Sequence, residues 1–312
     1  MKVIIFSLVC IVFLVNNSCS SNQVLRGYKT KNVVVIVVDG PRYSETWGDT
    51  MHENIPYQWM LRSQGVFFEN FLNTGETKTT PGHTSICTGV NQVIDNGGQE
   101  LPHYPSIFQY WMKTHKKSAS DAWIIASKDK LEVLANCESA SWNGKYRPST
   151  DCGNNGLGSG YRPDGLTTSA AIYHLGKDHP QLTLINFRNP DYAGHTGDWN
   201  AYLAGVKSTD SLVNVLVEFL NNDPFYKDRT AILITNDHGR HLDGVADGFK
   251  SHGDGCAGCR KISLLAIGPD FKAGTIASKV YDQRDIATTI AQMMHFSMPT
   301  SDGKSISELV GK

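Results

Sequence analysis

"VVVIVVD", Val33 to Asp39, is six β-branched aliphatic residues in a row closed by a carboxylate. Branching at Cβ restricts χ1 and favours extended backbone. An apolar run without alternating polar positions describes a strand covered on both faces. Four further runs share this character: "AWIIAS" (Ala122 to Ser127), "LTLINF" (Leu182 to Phe187), "AILITND" (Ala231 to Asp237) and "ISLLAIG" (Ile262 to Gly268). Helical stretches are expected between and around them, at Pro56 to Gln64, Ser106 to Thr114, Leu166 to Leu175, Trp199 to Leu220 and Arg284 to His295. Strands alternating with helices predict an α/β fold, a mainly parallel central sheet sandwiched between helices. In such sheets ligands bind beyond the carboxyl ends of the strands. That rule singles out Asp39, Asp191 shortly after "LINF", Asn236, Asp237 and His238, together with Lys128 and Lys130 after "AWIIAS".

The chain of 312 residues is 40% hydrophobic and 19% charged, an ordinary globular composition. A formal net charge of -1 and the lack of a long basic run give no basis for binding a nucleic-acid polymer. The expected partner is a small molecule. There is no internal repeat, and the one linker-like stretch is the Gly/Asn/Ser-rich loop from Asn143 to Gly160. Nothing in the sequence indicates an oligomeric state.

The amino terminus is of a different kind. Lys2, an apolar run from Val3 to Val15 and then "NNSCSS" form the charged, hydrophobic and small-residue regions of an export signal. The run is too short to span a bilayer as a stable helix. "NNSC" also resembles a relaxed bacterial lipobox, with Cys19 as the lipidated residue that would tether the chain to a membrane. Asn16, where leucine is usual, departs from that pattern, so simple secretion remains the alternative. Residues 1–22 are therefore expected to be a signal or lipoprotein anchor, residues 23–312 the catalytic domain, and the location periplasmic, envelope-anchored or secreted. Export permits disulfides. Of the seven cysteines, Cys10 and Cys19 belong to the signal; the simplest scheme for the rest joins Cys137 to Cys152 and Cys256 to Cys259, leaving Cys87 free. A zinc site on "CAGC" (Cys256 to Cys259) ranks below the disulfide, since only His252 lies nearby in sequence.

Two pairs carry metal-ligand chemistry. "PDYAGH" sets Asp191 four residues before His195, and "NDHG" sets Asp237 directly before His238. Carboxylate and imidazole together suit zinc. Singly, such pairs also cap helices or sit on wet loops; with Asp39 at a strand end, that reading needs several coincidences. Asp39 in "VVVIVVDG", "TKTTPGHTSICTG" (Thr77 to Gly89), "PDYAGH" and "TNDHG" resemble, in order and setting, the motifs of the alkaline phosphatase superfamily, in particular its nucleotide pyrophosphatase/phosphodiesterase branch. The resemblance is spread over most of the chain after the signal. It implies two zinc ions: one held by Asp39, Asp237 and His238, the other by Asp191, His195 and a further histidine. His252 in "KSHGDG" is the first choice for that sixth ligand and His241 the competitor.

The "TKTTPGHTSICTG" stretch gathers five threonines and a serine. By the resemblance, Thr79 in "TTPGH" is the nucleophile, in contact with the metals, which make its alkoxide accessible. Thr80 is the alternative if the register differs by one. Pro81 fits the first turn of a helix whose free N–H groups face an anion. An ordinary N-cap would explain one or two of the threonines. His83 reads as structural. "VIDNGG" resembles the segment whose asparagine, here Asn96, points its amide at a phosphoryl oxygen, although Asn-Gly is also a turn signal.

Lys128 and Lys130 in "SKDK" would clamp the extra charge of a phosphate monoester. The segment resembles the "K-D-R" element of zinc phosphomonoesterases, with Lys130 in place of arginine, and also the carboxylate-gripping segment of phosphonoacetate hydrolases. The expected activity is zinc-dependent hydrolysis of phosphate monoesters through a phospho-threonine. The alternatives are a phosphodiesterase/nucleotide pyrophosphatase, a phosphonoacetate-type hydrolase, and a non-enzymatic exported lipoprotein that binds metal or phosphate. "TTPGH" lacks the Cys/Ser and Arg that a sulfatase needs. His103, Trp142, Tyr146 and Arg162 lie in loops that could line a leaving-group pocket, and nothing in the spacing selects among them.

Overall fold

The computed structural model describes residues 27–311. The expected signal or anchor over residues 1–22, with Cys19, lies outside the described residues.

The aliphatic run from Val33 to Val38 lies in β1 (Asn32–Val38), fully buried along its length. Val33, Val35 and Val37 enter one core layer while Val34, Ile36 and Val38 enter the other, so both faces are dry and no position is free to be polar. The remaining strands are β2 (Gly65–Leu72), β3 (Ala122–Ala126), β4 (Ser149–Cys152), β5 (Leu182–Phe187), β6 (Thr230–Asn236), β7 (Lys261–Ile267), β8 (Thr275–Ala277) and β9 (Tyr281–Asp282). They form one nine-stranded sheet in the order β4-β3-β5-β1-β6-β7-β2-β8, with β9 also beside β2. From β4 to β6 every neighbour is parallel. β7 runs antiparallel to both β6 and β2.

The helices are α1 (Pro56–Leu61), α2 (Thr79–Thr88), α3 (Ile107–His115), α4 (Asp164–Asp178), α5 (Asp191–Gly194), α6 (Trp199–Asn222), α7 (Ala257–Arg260), α8 (Asp285–Met293) and α9 (Ser307–Val310). α2, α3, α8 and α9 cover one face of the sheet and α1, α4 and α6 the other. Between β6 and β7 the chain carries only the four-residue α7 and a three-residue turn of 3-10 helix, so no long helix packs back across the sheet there and β7 runs antiparallel to β6. β2 is absent from the strands expected above because Glu69 and Asn70 interrupt its apolar run, at the irregularity in its pairing with β7 between Phe68 and Phe71.

All five described cysteines are free thiols, so neither expected disulfide is formed. Cys152 ends β4 with its Sγ turned onto the Ile124 carbonyl, at 3.7 Å, and Cys87 is buried in α2. Among the described residues no helix is long and apolar enough to cross a membrane.

Candidate active site

Strand register delivers the first carboxylates to one place. Val38 of β1 is level with Phe187 of β5 and Asn236 of β6, so Asp39 and Asp237 leave adjacent strands at the same height. Asp191 opens α5 just beyond β5, and its N–H donates to the Asp39 carbonyl at 3.0 Å. Gly40, at φ +63°, makes this approach possible: a Cβ there would lie 2.9 Å from Asp191 Cβ. All three carboxylates are buried.

Two histidines join them with fixed tautomers. His238 Nδ1 donates to the Gly239 carbonyl at 2.9 Å and His252 Nδ1 to the Thr77 carbonyl at 2.8 Å. Each ring therefore turns Nε2 inward, as an imidazole ligand requires. His238 Nε2 lies 3.4 Å from Asp39 Oδ1 and 3.5 Å from Asp237 Oδ2, and His252 Nε2 lies 3.2 Å from Asp191 Oδ1. The two rings stack at 3.7 Å. Burial and the neighbouring His238 push the His252 pKa down to about 4, which keeps it neutral and able to coordinate.

These residues fit a pair of divalent cations. Ligand atoms of Asp39, Asp237 and His238 all lie within 4.8 Å of one another, and so do those of Asp191, His238 and His252. Asp39 Oδ1, Asp237 Oδ2 and His238 Nε2 are buried and make no hydrogen bond, an arrangement of acceptors facing acceptors that a cation resolves. His195 stands at the rim, half exposed, outside the compact group; its Nε2 lies 3.2 Å from Asp191 Oδ1 and its Nδ1 faces Arg240. His241 is turned away, toward Asp247 and Asp254. Of the two candidates for the sixth ligand, the structure thus brings His252 to the cluster.

Lys128 is built into the carboxylates. Its Nζ lies 2.6 Å from Asp191 Oδ2, 2.9 Å from Asp39 Oδ2 and 3.1 Å from Thr79 Oγ1. Burial disfavours its charge, but Asp191, Asp39 and Asp237 outweigh burial and hold the ammonium protonated above the ordinary lysine range. Arg240, fully buried, is a second cation here and was not singled out from sequence. It pairs with Asp191 Oδ1, lies 3.3 Å from His195 Nδ1 and donates to the carbonyls of Phe249 and Lys250. Its position two residues after His238 was the only available signal.

Thr79 is the first residue of α2, and its Oγ1 faces Lys128 and the cleft. Thr80 is committed elsewhere, its N–H donating to Asn96 Oδ1 and its hydroxyl to the Asn96 carbonyl. His83 supports the turn, Nδ1 to the Thr79 carbonyl at 2.9 Å and Nε2 against Asn186 at 3.1 Å. Gly82 sets the depth of the helix, because a Cβ there would lie 2.7 Å from the Asp237 carbonyl oxygen. Two of the other hydroxyls close on the backbone, Ser85 donating to the Pro81 carbonyl and Thr88 to that of Thr84, while the buried Thr84 Oγ1 has no hydrogen-bond partner.

Asn96 Oδ1 accepts from Thr80 and from Lys130 Nζ at 3.3 Å, leaving its amide nitrogen for the cleft. Burial and the nearby Lys128 push the Lys130 pKa down to about 8. The cleft, about 430 Å³, is lined by these groups with Tyr161, Tyr192 and Thr196. Tyr161 and Tyr192 were missed, although Tyr192 lies inside "PDYAGH". None of the four loop residues considered above lines the cleft: Arg162 binds Asp151 and Thr167, Trp142 and Tyr146 pack with Lys113, and His103 faces Glu138.

Comparison with known proteins gives this site a family. Residues 33–241 match the model of the type I phosphodiesterase/nucleotide pyrophosphatase family. A 2,3-bisphosphoglycerate-independent phosphoglycerate mutase from Natronomonas pharaonis is 35% identical over 72 residues, which span 23% of this chain and 13% of the mutase. Among solved structures, an alkaline phosphatase superfamily protein from Vibrio parahaemolyticus superposes with a TM-score of 0.65 at 14% identity, over 90% of this chain and 70% of the other. Murine ectonucleotide pyrophosphatase/phosphodiesterase 5, also solved in an inactive form with AMP, gives a TM-score of 0.62 at 13% identity, over 88% of this chain and 97% of the other. The fold is that of the alkaline phosphatase superfamily. The matched segment contains Asp39, Thr79, Asp191, His195, Asp237 and His238, and the chain belongs to the type I phosphodiesterase/nucleotide pyrophosphatase family.

Proposed function

We propose that the protein is a metal-dependent phosphoester hydrolase that prefers phosphate monoesters and acts through a phospho-threonine. The reading rests on one arrangement: the Thr79 hydroxyl at the start of a buried helix, with Lys128 Nζ 3.1 Å from its oxygen and Lys130 beside Asn96 in the same cleft. Thr79 Oγ1 would form a bond to phosphorus as the bond to the leaving oxygen breaks, releasing the alcohol. Water would then cleave the Oγ1–P bond, releasing phosphate and restoring the hydroxyl. Lys128 donates to Thr79 Oγ1 and so favours its alkoxide. Asn96 and Lys130 would hold the phosphoryl oxygens, and the amino-terminal end of α2 favours the anion there.

Asp39, Asp237 and His238 would hold one cation, and Asp191, His252 and His195 the other; the mixed oxygen and nitrogen donors suit zinc. Bound there, such ions act as Lewis acids, lowering the pKa of a coordinated hydroxyl and stabilising the charge of phosphoryl transfer. The amino-terminal segment, read as an export signal, would place this activity in the periplasm, at the envelope surface or outside the cell, which fractionation of the expressing cells tests.

A second reading, hydrolysis of diesters or nucleotides, is favoured by Tyr161 and Tyr192, whose rings offer an organic substituent an apolar wall, and by the AMP held by the murine relative. Turnover of a monoester and a diester with the same aryl leaving group separates the two. A monoester preference supports Lys128 and Lys130 acting on a dianion; a diester preference sinks that clamp and installs the second reading.

A further inference from the structure

The stretch from His241 to Cys259 is a long excursion with almost no regular structure, and it carries His252 into the active site. Loops of this length in a compact domain are uncommon and usually carry function. At its two ends lies a group the hydrolytic site does not use. His241 Nε2, Asp254, Cys256 Sγ and Cys259 Sγ place one ligand atom each within 4.8 Å of all the others. His241 Nε2 is 3.2 Å from Asp254 Oδ1.

We propose that these four residues form a separate structural metal site of the zinc class. Three observations carry it. First, the donor set of two sulfurs, one imidazole and one carboxylate is a closed tetrahedral complement for zinc, whose bonds of about 2.0–2.3 Å put ligand atoms roughly 3.3–3.8 Å apart. His241 Nε2 and Asp254 Oδ1 stand 3.2 Å apart, and all four ligand atoms lie within 4.8 Å of one another. Second, His241 is 95% buried, its side chain is aimed into the cluster, and its Nε2 has no hydrogen bond. Its Nδ1 is meanwhile held by Asp247 Oδ1 at 3.0 Å, the carboxylate-histidine arrangement that orients a ligating ring. Third, both thiols are free, and Cys259 is fully buried while Asp254 is half exposed, leaving an entry side for an ion.

The site is distinct from the hydrolytic one. His252, the nearby histidine in sequence, faces Asp191 instead, and the missing ligands come from His241 and Asp254. An ion here would fasten the carbonyl-rich loop at both ends and so position His252 between them. A cysteine pair held as thiolates by zinc is also shielded from oxidation.

The test uses the whole chain, purified under reducing conditions, with cobalt(II) as the probe. Sulfur is absent from the hydrolytic ligand set, so a thiolate-to-cobalt charge-transfer absorption in the near ultraviolet reports this site alone, whatever the fate of the proposed hydrolase activity. The expected result is that band in the unaltered protein, its absence in Cys256→Ser/Cys259→Ser, and one zinc fewer per chain in that variant by elemental analysis. No band in the unaltered protein, or equal zinc content in the two, overturns the proposal. So does an intact mass two hydrogens low in protein purified without reductant together with no band after reduction, which would mark a disulfide. Since the cobalt spectrum is read on the unaltered chain, a poorly folding variant leaves the proposal open to refutation.

Discussion

Replacing Lys128 by methionine removes an ammonium that touches both Asp39 and Asp191, at 2.9 Å and 2.6 Å. In metal-free protein those carboxylates then stay buried without that partner. Removing one member of a buried ion pair costs about 3–5 kcal/mol. At about 2 °C per kcal/mol, the low end suited to a chain of this size, the melting temperature should fall by roughly 6–10 °C. In zinc-loaded protein the ions supply the missing charge, and the loss should shrink by about 2–3 kcal/mol. Linkage makes that difference a gain in zinc affinity of about 30- to 150-fold in the variant. Thermal unfolding by circular dichroism with chelator and with zinc, plus zinc titration against a competing indicator, measures both quantities. Equal losses in the two states with unchanged zinc affinity would refute the view that Lys128 occupies the electrostatic place of a cation.

Thr79→Ala should abolish phosphoester turnover while leaving zinc content unchanged, since Asp39, Asp191 and Asp237 remain; residual turnover near the parent's level would remove Thr79 as nucleophile. His252→Ala should lose one zinc with its ring's contact to Asp191, whereas unchanged stoichiometry by elemental analysis would place that ligand elsewhere. Arg240→Met should destabilise by about 3–5 kcal/mol, because it strands Asp191 Oδ1 and two loop carbonyls at once; Arg240→Lys should recover little, lacking the fork of donors, and a denaturant melt checks both. Lys130 is a cation below about pH 8 and neutral above it. Its help to a monoester dianion should therefore be present below about 8 and lost above, with bound metal moving that window lower. Lys130→Arg, which stays charged, should hold kcat/KM for monoesters flat through that range, and an identical alkaline fall in both proteins would count against the clamp.

Much of this was legible in the chain because it is local. A strand dry on both faces shows in sequence: the run at Val33 is uninterrupted hydrocarbon, those at Leu182 and Ala231 are mostly so, and each is followed within a few residues by a carboxylate on the ligand side of the sheet. The motif around Thr79 is equally local, since Pro81 fixes the backbone in the first turn of α2 and Gly82 lets that turn lie against the Asp237 carbonyl. β2 was missed because Glu69 and Asn70 sit at an irregularity where no apolar period survives, and the antiparallel β7 because an apolar run carries no mark of its direction.

What only the tertiary structure decided is which side chains share a volume. Sequence put His252 ahead of His241 without excluding either; the fold turns His241 toward Asp254 and the cysteines and His252 toward Asp191. Sequence offered Lys128 as an open clamp; folding sinks it between two carboxylates brought together from strands 150 residues apart in the chain. Arg240 gave no signal beyond its place two residues after His238, because its role lies in contacts with Asp191, His195 and the loop carbonyls. Hydrophobic periodicity is written residue by residue, whereas the charge balance of a buried site is a sum over groups that become neighbours only once the sheet has set their register.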